Sequence, residues 1–265
     1  DLVNRKFITI RLSDIRILLF RRYLLVDSSV EIFLGNGKTA FFNFQNEDRA
    51  VFIEQIIKMK PPYAKFMQRK SKDIADLVRK AQSKWLQGKY TNFDYLLLLN
   101  TYAGRTYNDL SQYPIFPWII ADYQTDSFEI DNPAFYRDFT KSVGALEEDR
   151  LAILRERMKS FDDSSEAYLY ASYPSSSAVV IGYMVRVEPF TTLHIELQSN
   201  RFDVSERLFH SIPRTWESVR KASMDYRELI PEFFYLPEFL VNHNGFDLGK
   251  ASSIDGSVEL PSWSK

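Results

Sequence analysis

The chain has 265 residues, enough for one large domain or two modest ones. Apolar residues at 45% and charged residues at 26% are the balance of a folded globular chain, which excludes wholesale disorder. A formal net charge of -1 excludes a general nucleic-acid binder, and the absence of cysteine excludes a disulfide framework, a thiolate metal site and a thiol nucleophile.

In chain order, residues 6–44 read as strands. Lys6–Arg11 alternates, Ile15–Phe20 and Tyr23–Val26 are β-rich, and Val30–Leu34 and Thr39–Phe44 flank Gly35-Asn36-Gly37. Such a triplet tolerates positive φ and signals a hairpin turn. Asn46-Glu47-Asp48 is the expected cap of a helix carrying Val51, Phe52, Gln55, Ile56 and Met59 at helical spacing, stopped by Pro61-Pro62. Strands followed by one helix are the tail of a small β-barrel or sandwich. Residues 61–72 read as a basic linker whose Lys65, Arg69, Lys70 and Lys72 could touch an anionic membrane, each adding about 1 kcal/mol near such a surface. The alternative is a plain solvated linker.

From Asp73 the pattern turns mainly helical. Ile74, Leu77, Val78, Ala81 and Trp85 mark one face, and Gly88 ends that helix. Thr91-Asn92-Phe93-Asp94 has the form of a capping box. The next helix is apolar nearly all round at Leu96–Leu99, so central burial is expected. Glu147–Met158 reads as a charged surface helix, Ser175–Val187 as a capped helix rather than a strand, and Ser205–Ser223 as a helix interrupted at Pro213. The longest apolar run, Ala178–Val185, is far short of the about 20 residues that cross a bilayer. The start has no signal-peptide layout, and both ends read as those of a piece of something larger.

Two stretches, Ser111–Ile120 and Arg227–Leu240, are rich in proline and aromatics without a period. They are too apolar for surface loops, so irregular backbone buried in a core is expected. Its polar groups must then be met by side chains, and Asn100, Arg105, Asn108 and Asp109 are the candidates. Charge is also divided. Residues 1–90 carry 18 Lys/Arg and 9 Asp/Glu, whereas residues 91–265 carry 16 and 26. This suggests two mutually attracting units or a basic face for an acidic partner. Arg21-Arg22-Tyr23, in the basic half, is either that contact or an exposed hairpin corner.

Catalytic motifs are sparse. No glycine-rich phosphate loop occurs, and there is no Gly-x-Ser-x-Gly elbow. His194-Ile195-Glu196 lacks a third ligand at metal spacing, so no metal site is expected. Ser175-Ser176-Ser177 reads as a helix start, and a hydrolase built on His194 and this serine cluster is the least favoured reading.

Several longer motifs follow one another along the chain. They include Thr91-Asn92-Phe93-Asp94-Tyr95-Leu96, Leu99-Asn100-Thr101-Tyr102-Ala103-Gly104-Arg105-Thr106-Tyr107-Asn108-Asp109, Gln112-Tyr113-Pro114-Ile115-Phe116-Pro117-Trp118, Val187-Glu188-Pro189-Phe190-Thr191 and Glu228-Leu229-Ile230-Pro231-Glu232-Phe233-Phe234-Tyr235-Leu236-Pro237. Together they resemble the BEACH domain, with order and spacing agreeing over residues 85–263. Arg21-Arg22-Tyr23-Leu24-Leu25 through Phe41-Phe42-Asn43-Phe44 resembles the end of the PH-like domain that precedes BEACH in proteins of the neurobeachin and beige (lysosomal trafficking regulator) type. Tyr170-Ala171-Ser172-Tyr173-Pro174 departs from the family pattern by lacking its histidine.

The resemblance implies an α+β chain. Residues 1–60 would be the C-terminal part of a PH-like β-barrel with its capping helix, 61–72 a linker, and 73–265 a mainly helical BEACH domain with irregular core segments, truncated at its C-terminus. It implies a non-enzymatic scaffold segment without a cofactor. Such a segment is expected in the cytoplasm, peripheral on endomembranes, with protein partners of the trafficking machinery and no nucleic acid. An intramolecular PH–BEACH contact is expected too. Arg21, Arg22 and Tyr23 on one side, and Asn100, Arg105 and Asn108 on the other, are the expected interdomain or partner-binding residues. The second reading is phosphoinositide or anionic-membrane binding through the basic half.

Overall fold

A computed structural model describes residues 9–45, 48–67, 71–125, 127, 129–198, 200 and 208–248. The chain divides into two compact units, residues 1–112 and 113–265.

In the first unit, β1 (Ile15–Tyr23), β2 (Val26–Leu34), β3 (Thr39–Asn43) and β4 (Lys65–Met67) form one sheet in the order β3-β2-β1-β4. β1–β2 and β2–β3 are antiparallel and β1–β4 is parallel. Among the described residues the sheet is open and four-stranded, with short edge strands, and does not close into a barrel. The expected linker is corrected. Residues 65–67 continue the sheet because their backbone pairs with the free edge of β1, Ile17 opposite Lys65. The strand expected at Lys6–Arg11 lies partly outside the described residues. Its described part is not strand and leads into a 3-10 turn at Leu12–Asp14.

Strand alternation gives the sheet two buried faces. On one, Ile15, Leu18, Val30 and Ile32 pack with Ile56 of α1 (Asp48–Lys58), supported by Phe42, Phe44 and Phe52. The other carries Leu19, Arg21 and Glu31, also buried. The β1–β2 turn falls at Leu24-Leu25, not at the arginines. Both leucines have positive φ, 47° and 70°, and both are 60% exposed. Two-residue hairpins favour Asn-Gly in this left-handed geometry, and a bulky side chain there costs about 1–2 kcal/mol per residue. Leu24→Asn with Leu25→Gly is therefore expected to raise the unfolding free energy by at least about 1 kcal/mol in urea titration. A midpoint at or below that of the wild type would contradict this.

The remaining helices of this unit follow their local signals. α2 (Ser71–Leu86) ends before Gly88, whose φ of 69° suits a helix stop. α3 (Asn92–Tyr102) starts with the full capping box of Thr91 and Asp94. Its Leu96–Leu99 stretch is half-buried rather than central, with Asn100 the buried residue of the helix.

The second unit bears out the proline-and-aromatic stretches in part: Tyr113, Phe116 and Trp118 are buried in mostly irregular backbone, whereas Glu232–Tyr235 and Pro237–Leu240 are short helical turns and Phe234, Tyr235 and Leu236 are exposed. Phe116 and Leu229 exchange backbone hydrogen bonds at 2.8 and 2.9 Å, so the two irregular segments satisfy each other. Trp118 and Ile230 are wholly buried, and the Trp118 indole donates to the Arg227 carbonyl at 2.9 Å. The rings of Tyr183, Phe233 and Phe239 pack edge-to-face, 4.9–5.1 Å apart. Around them lie α4 (Glu148–Lys159), α5 (Ser177–Tyr183), α6 (Phe190–Leu197), α7 (Ile212–Lys221) and α8 (Glu232–Tyr235). α5 is capped by Ser176 as its serines suggest. Pro213 does not interrupt α7 but sits in its first turn, where its missing N–H has no intrahelical partner to lose. α4 is less of a surface helix than its charge implies. Its Arg150 is buried and donates to the Val219 and Arg220 carbonyls at the end of α7 and to that of Asp225.

Candidate partner-binding groove

The second face of the first unit's sheet carries a buried polar cluster. Arg21 Nε donates to Glu31 Oε2 at 2.7 Å, and its Nη1 donates to the Thr101 carbonyl at the end of α3 at 2.8 Å. The other carboxylate oxygen of Glu31 accepts from Thr106 Oγ1 at 2.8 Å and from Asn108 Nδ2 at 3.1 Å. Asp109, also buried, accepts from the Leu24 N–H at 3.0 Å and from the Ser111 N–H at 2.9 Å. The sheet is thus tied to residues 101–111 by charge-assisted hydrogen bonds, which are stronger than neutral ones.

Of the expected site residues, Arg21 and Asn108 meet on Glu31. Arg22 does not join them, because strand alternation puts it on the opposite face, where it is exposed near the hairpin end. Tyr23 is exposed, its ring 6.2 Å from Phe41. Asn100 donates to the Leu96 carbonyl of its own helix, and Arg105 is half-buried, its guanidinium drawn below its ordinary value by burial. Of the residues expected to serve the two aromatic stretches, Asp109 does so at Ser111, where the first stretch begins, and it also accepts from Leu24 of the sheet. Asn108 serves the sheet instead, and Trp118 N–H is met by Glu228. Glu31 and Thr106 were missed. The available signal was a carboxylate between Val30 and Ile32 in an apolar strand, which must be paired if buried.

Beside this cluster a groove of about 680 Å³ opens between the sheet and the helices α2 and α3. Its apolar floor is Ile17, Leu19, Phe33, Leu77, Ala81 and Leu98. Lys65, Lys80, Lys84 and Lys89 line it with Tyr90 and Tyr102. Lys80 and Lys84 lie one helical turn apart, on the same side of α2 as Leu77 and Ala81. None of the four lysines pairs with a carboxylate among the described residues. Lys84 instead donates to the Tyr90 hydroxyl at 3.3 Å and lies 5.4 Å over its ring. Burial pushes the Tyr102 hydroxyl above its ordinary value, with Tyr90 adding to the rise and Lys84 opposing it, so Tyr102 remains a neutral donor at physiological pH. The volume lies within the range of about 300–1,000 Å³ usual for ligand sites. Of the expected membrane-contact lysines, Lys65 is exposed at this groove. Arg69, Lys70 and the side chain of Lys72 lie outside the described residues.

The second unit has its own cavity of about 640 Å³, lined by His194, His210, Ser211, Arg214 and Thr215 among others. Its hydroxyls are engaged: Ser211 caps α7, Thr215 Oγ1 donates to the Ser211 carbonyl at 2.8 Å, and Ser218 Oγ donates to Asp225 Oδ2 at 2.7 Å. The described residues contain no cluster of metal-ligating side chains and no helix long and apolar enough to cross a membrane.

Two family models match the chain. The PH domain associated with Beige/BEACH matches residues 3–57, and the Beige/BEACH domain matches residues 83–265. The chain is 42% identical over 250 residues to BEACH domain-containing protein lvsE of Dictyostelium discoideum, covering 91% of this chain and 11% of that protein. It is 40% identical over 265 residues to WD repeat- and FYVE domain-containing protein 4 of Homo sapiens, covering 95% of this chain and 8% of that protein. The chain therefore spans about a tenth of the length of these relatives. The family model's start at residue 83 places α3 and residues 101–109 in the BEACH match, so the Arg21–Glu31 cluster joins PH-matched strands to BEACH-matched sequence inside one compact unit. The family is generally associated with trafficking, and by the match over residues 83–265 this chain belongs to the BEACH domain family.

Proposed function

We propose that this chain is a non-catalytic segment of a trafficking scaffold that holds a protein partner in the groove between its sheet and helices α2–α3. The observation that carries this reading is the groove itself: an apolar floor beside four lysines that have no carboxylate partner among the described residues, on a frame fixed by the buried Arg21–Glu31 pair. A frame that does not reorganise on binding keeps the entropic cost of docking low. The test is quantitative affinity capture from cell extract with the full chain and with Lys80→Glu/Lys84→Glu. Trafficking proteins are expected to be retained by the wild type and depleted about tenfold or more by the variant. Equal recovery on both would overturn the reading.

Exposed Lys65 favours a second reading, attachment to an anionic membrane. Sedimentation with vesicles containing phosphoinositide, against neutral vesicles, tests it, and equal recovery with both would remove it.

A further inference from the structure

Resting on that reading of the groove, we propose that its occupant is an extended peptide segment in which two acidic residues flank one bulky apolar residue. Lys80 and Lys84 are four residues apart on α2, a rise of about 6 Å. In an extended chain, residues two apart lie about 6.6 Å from each other on one side, and the residue between them points the other way. A peptide laid along α2 therefore presents its two carboxylates to Lys80 and Lys84 while the intervening side chain turns to Leu19 and Phe33 on the sheet side of the groove. The groove follows α2 from Leu77 to Gln87, about 15 Å, which four or five extended residues cover. Lys65 and Lys89 then stand ready for further acidic residues. A phosphate-bearing headgroup would meet the same cations but leave the apolar floor unfilled, and so fits this surface less well.

The test is display of random 12-residue peptides on phage against the immobilised full chain. Enriched peptides are expected to share an acid–apolar–acid triplet. A synthetic consensus peptide should bind about tenfold more weakly when its acids become amides, and about tenfold more weakly to Lys80→Glu/Lys84→Glu. Raised salt should weaken it further. Should the charge-reversed variant melt below the wild type, Lys80→Gln/Lys84→Gln replaces it. No enrichment, an acid-free consensus, or binding indifferent to both lysine variants would overturn the inference. So would displacement of the consensus peptide by inositol hexakisphosphate at lower concentration than by unlabelled peptide. Lysine-dependent capture of protein partners alongside an acid-free consensus would leave the docking function standing and remove only the acidic occupant.

Discussion

Arg21→Met is expected to lower the unfolding free energy of the first unit by about 3–5 kcal/mol. The guanidinium is 2% exposed and bridges the Glu31 carboxylate and the Thr101 carbonyl, with Phe33 lying 5.9 Å beneath it. Methionine fills much of the same volume but leaves Glu31, 3% exposed, with only the neutral donors Thr106 and Asn108. Most of the loss is that uncompensated charge rather than the pair's own net worth. Hence Arg21→Met with Glu31→Gln should lose markedly less than the two single losses summed, and Arg22→Glu, on the solvent side, should stay within about 0.5 kcal/mol of the wild type. The reporter is near-UV circular dichroism of Trp85, which stacks on Tyr95 at 4.9 Å. It is the only tryptophan of residues 1–112. A loss for Arg21→Met no larger than that for Arg22→Glu would show that the cluster does not hold the unit together.

Where local chemistry decides, the structure was legible in the sequence. The Gly35-Asn36-Gly37 turn, the Thr91–Asp94 capping box and the Ser176 start of α5 depend on a few neighbouring residues and occur as read. The aromatic stretch ending at Trp118 was legible for another reason, since Pro and aromatic side chains together favour burial without regular structure; in the later stretch Glu232–Tyr235 and Pro237–Leu240 turn helical and leave Phe234, Tyr235 and Leu236 exposed. What failed depended on distant partners. β4 is three residues long and exists because β1 has a free edge, which no property of Lys65–Met67 announces. The left-handed turn at Leu24-Leu25 runs against local propensity and is held partly by Asp109, 85 residues away. Arg21 and Arg22 are identical in type, and only the phase of the strand buries one and exposes the other. Of the groove lysines only Lys65 was visible as a contact residue; Lys80, Lys84 and Lys89 were visible as charges but not as a site, since the groove needs apolar residues from other elements.

In the second unit the irregular core has its own buried pair, and Arg137→Leu is expected to cost about 3–5 kcal/mol. Arg137 Nη1 donates to both oxygens of Glu228 at 2.8 and 2.9 Å, and Glu228 Oε2 also accepts the Trp118 N–H at 3.0 Å. One carboxylate thus holds three segments that have no helix or sheet to fix them. Burial raises the pKa of Glu228 above its ordinary value, against the lowering pull of Arg137, the Trp118 N–H and the guanidinium hydrogen bond. The folded state therefore binds the proton more readily than the unfolded chain, so this group's contribution falls as pH rises from its unfolded value through its folded one. Removing Arg137 withdraws the chief lowering influence and moves the folded value further up. The penalty of Arg137→Leu should accordingly be largest at pH 8 and shrink toward pH 5, where the isolated carboxyl takes up its proton. Urea titrations at both pH values, following the fluorescence of Trp118 and Trp216, read this directly. A penalty independent of pH, or one that grows toward pH 5, would mean that Glu228 does not carry the charge that binds these segments.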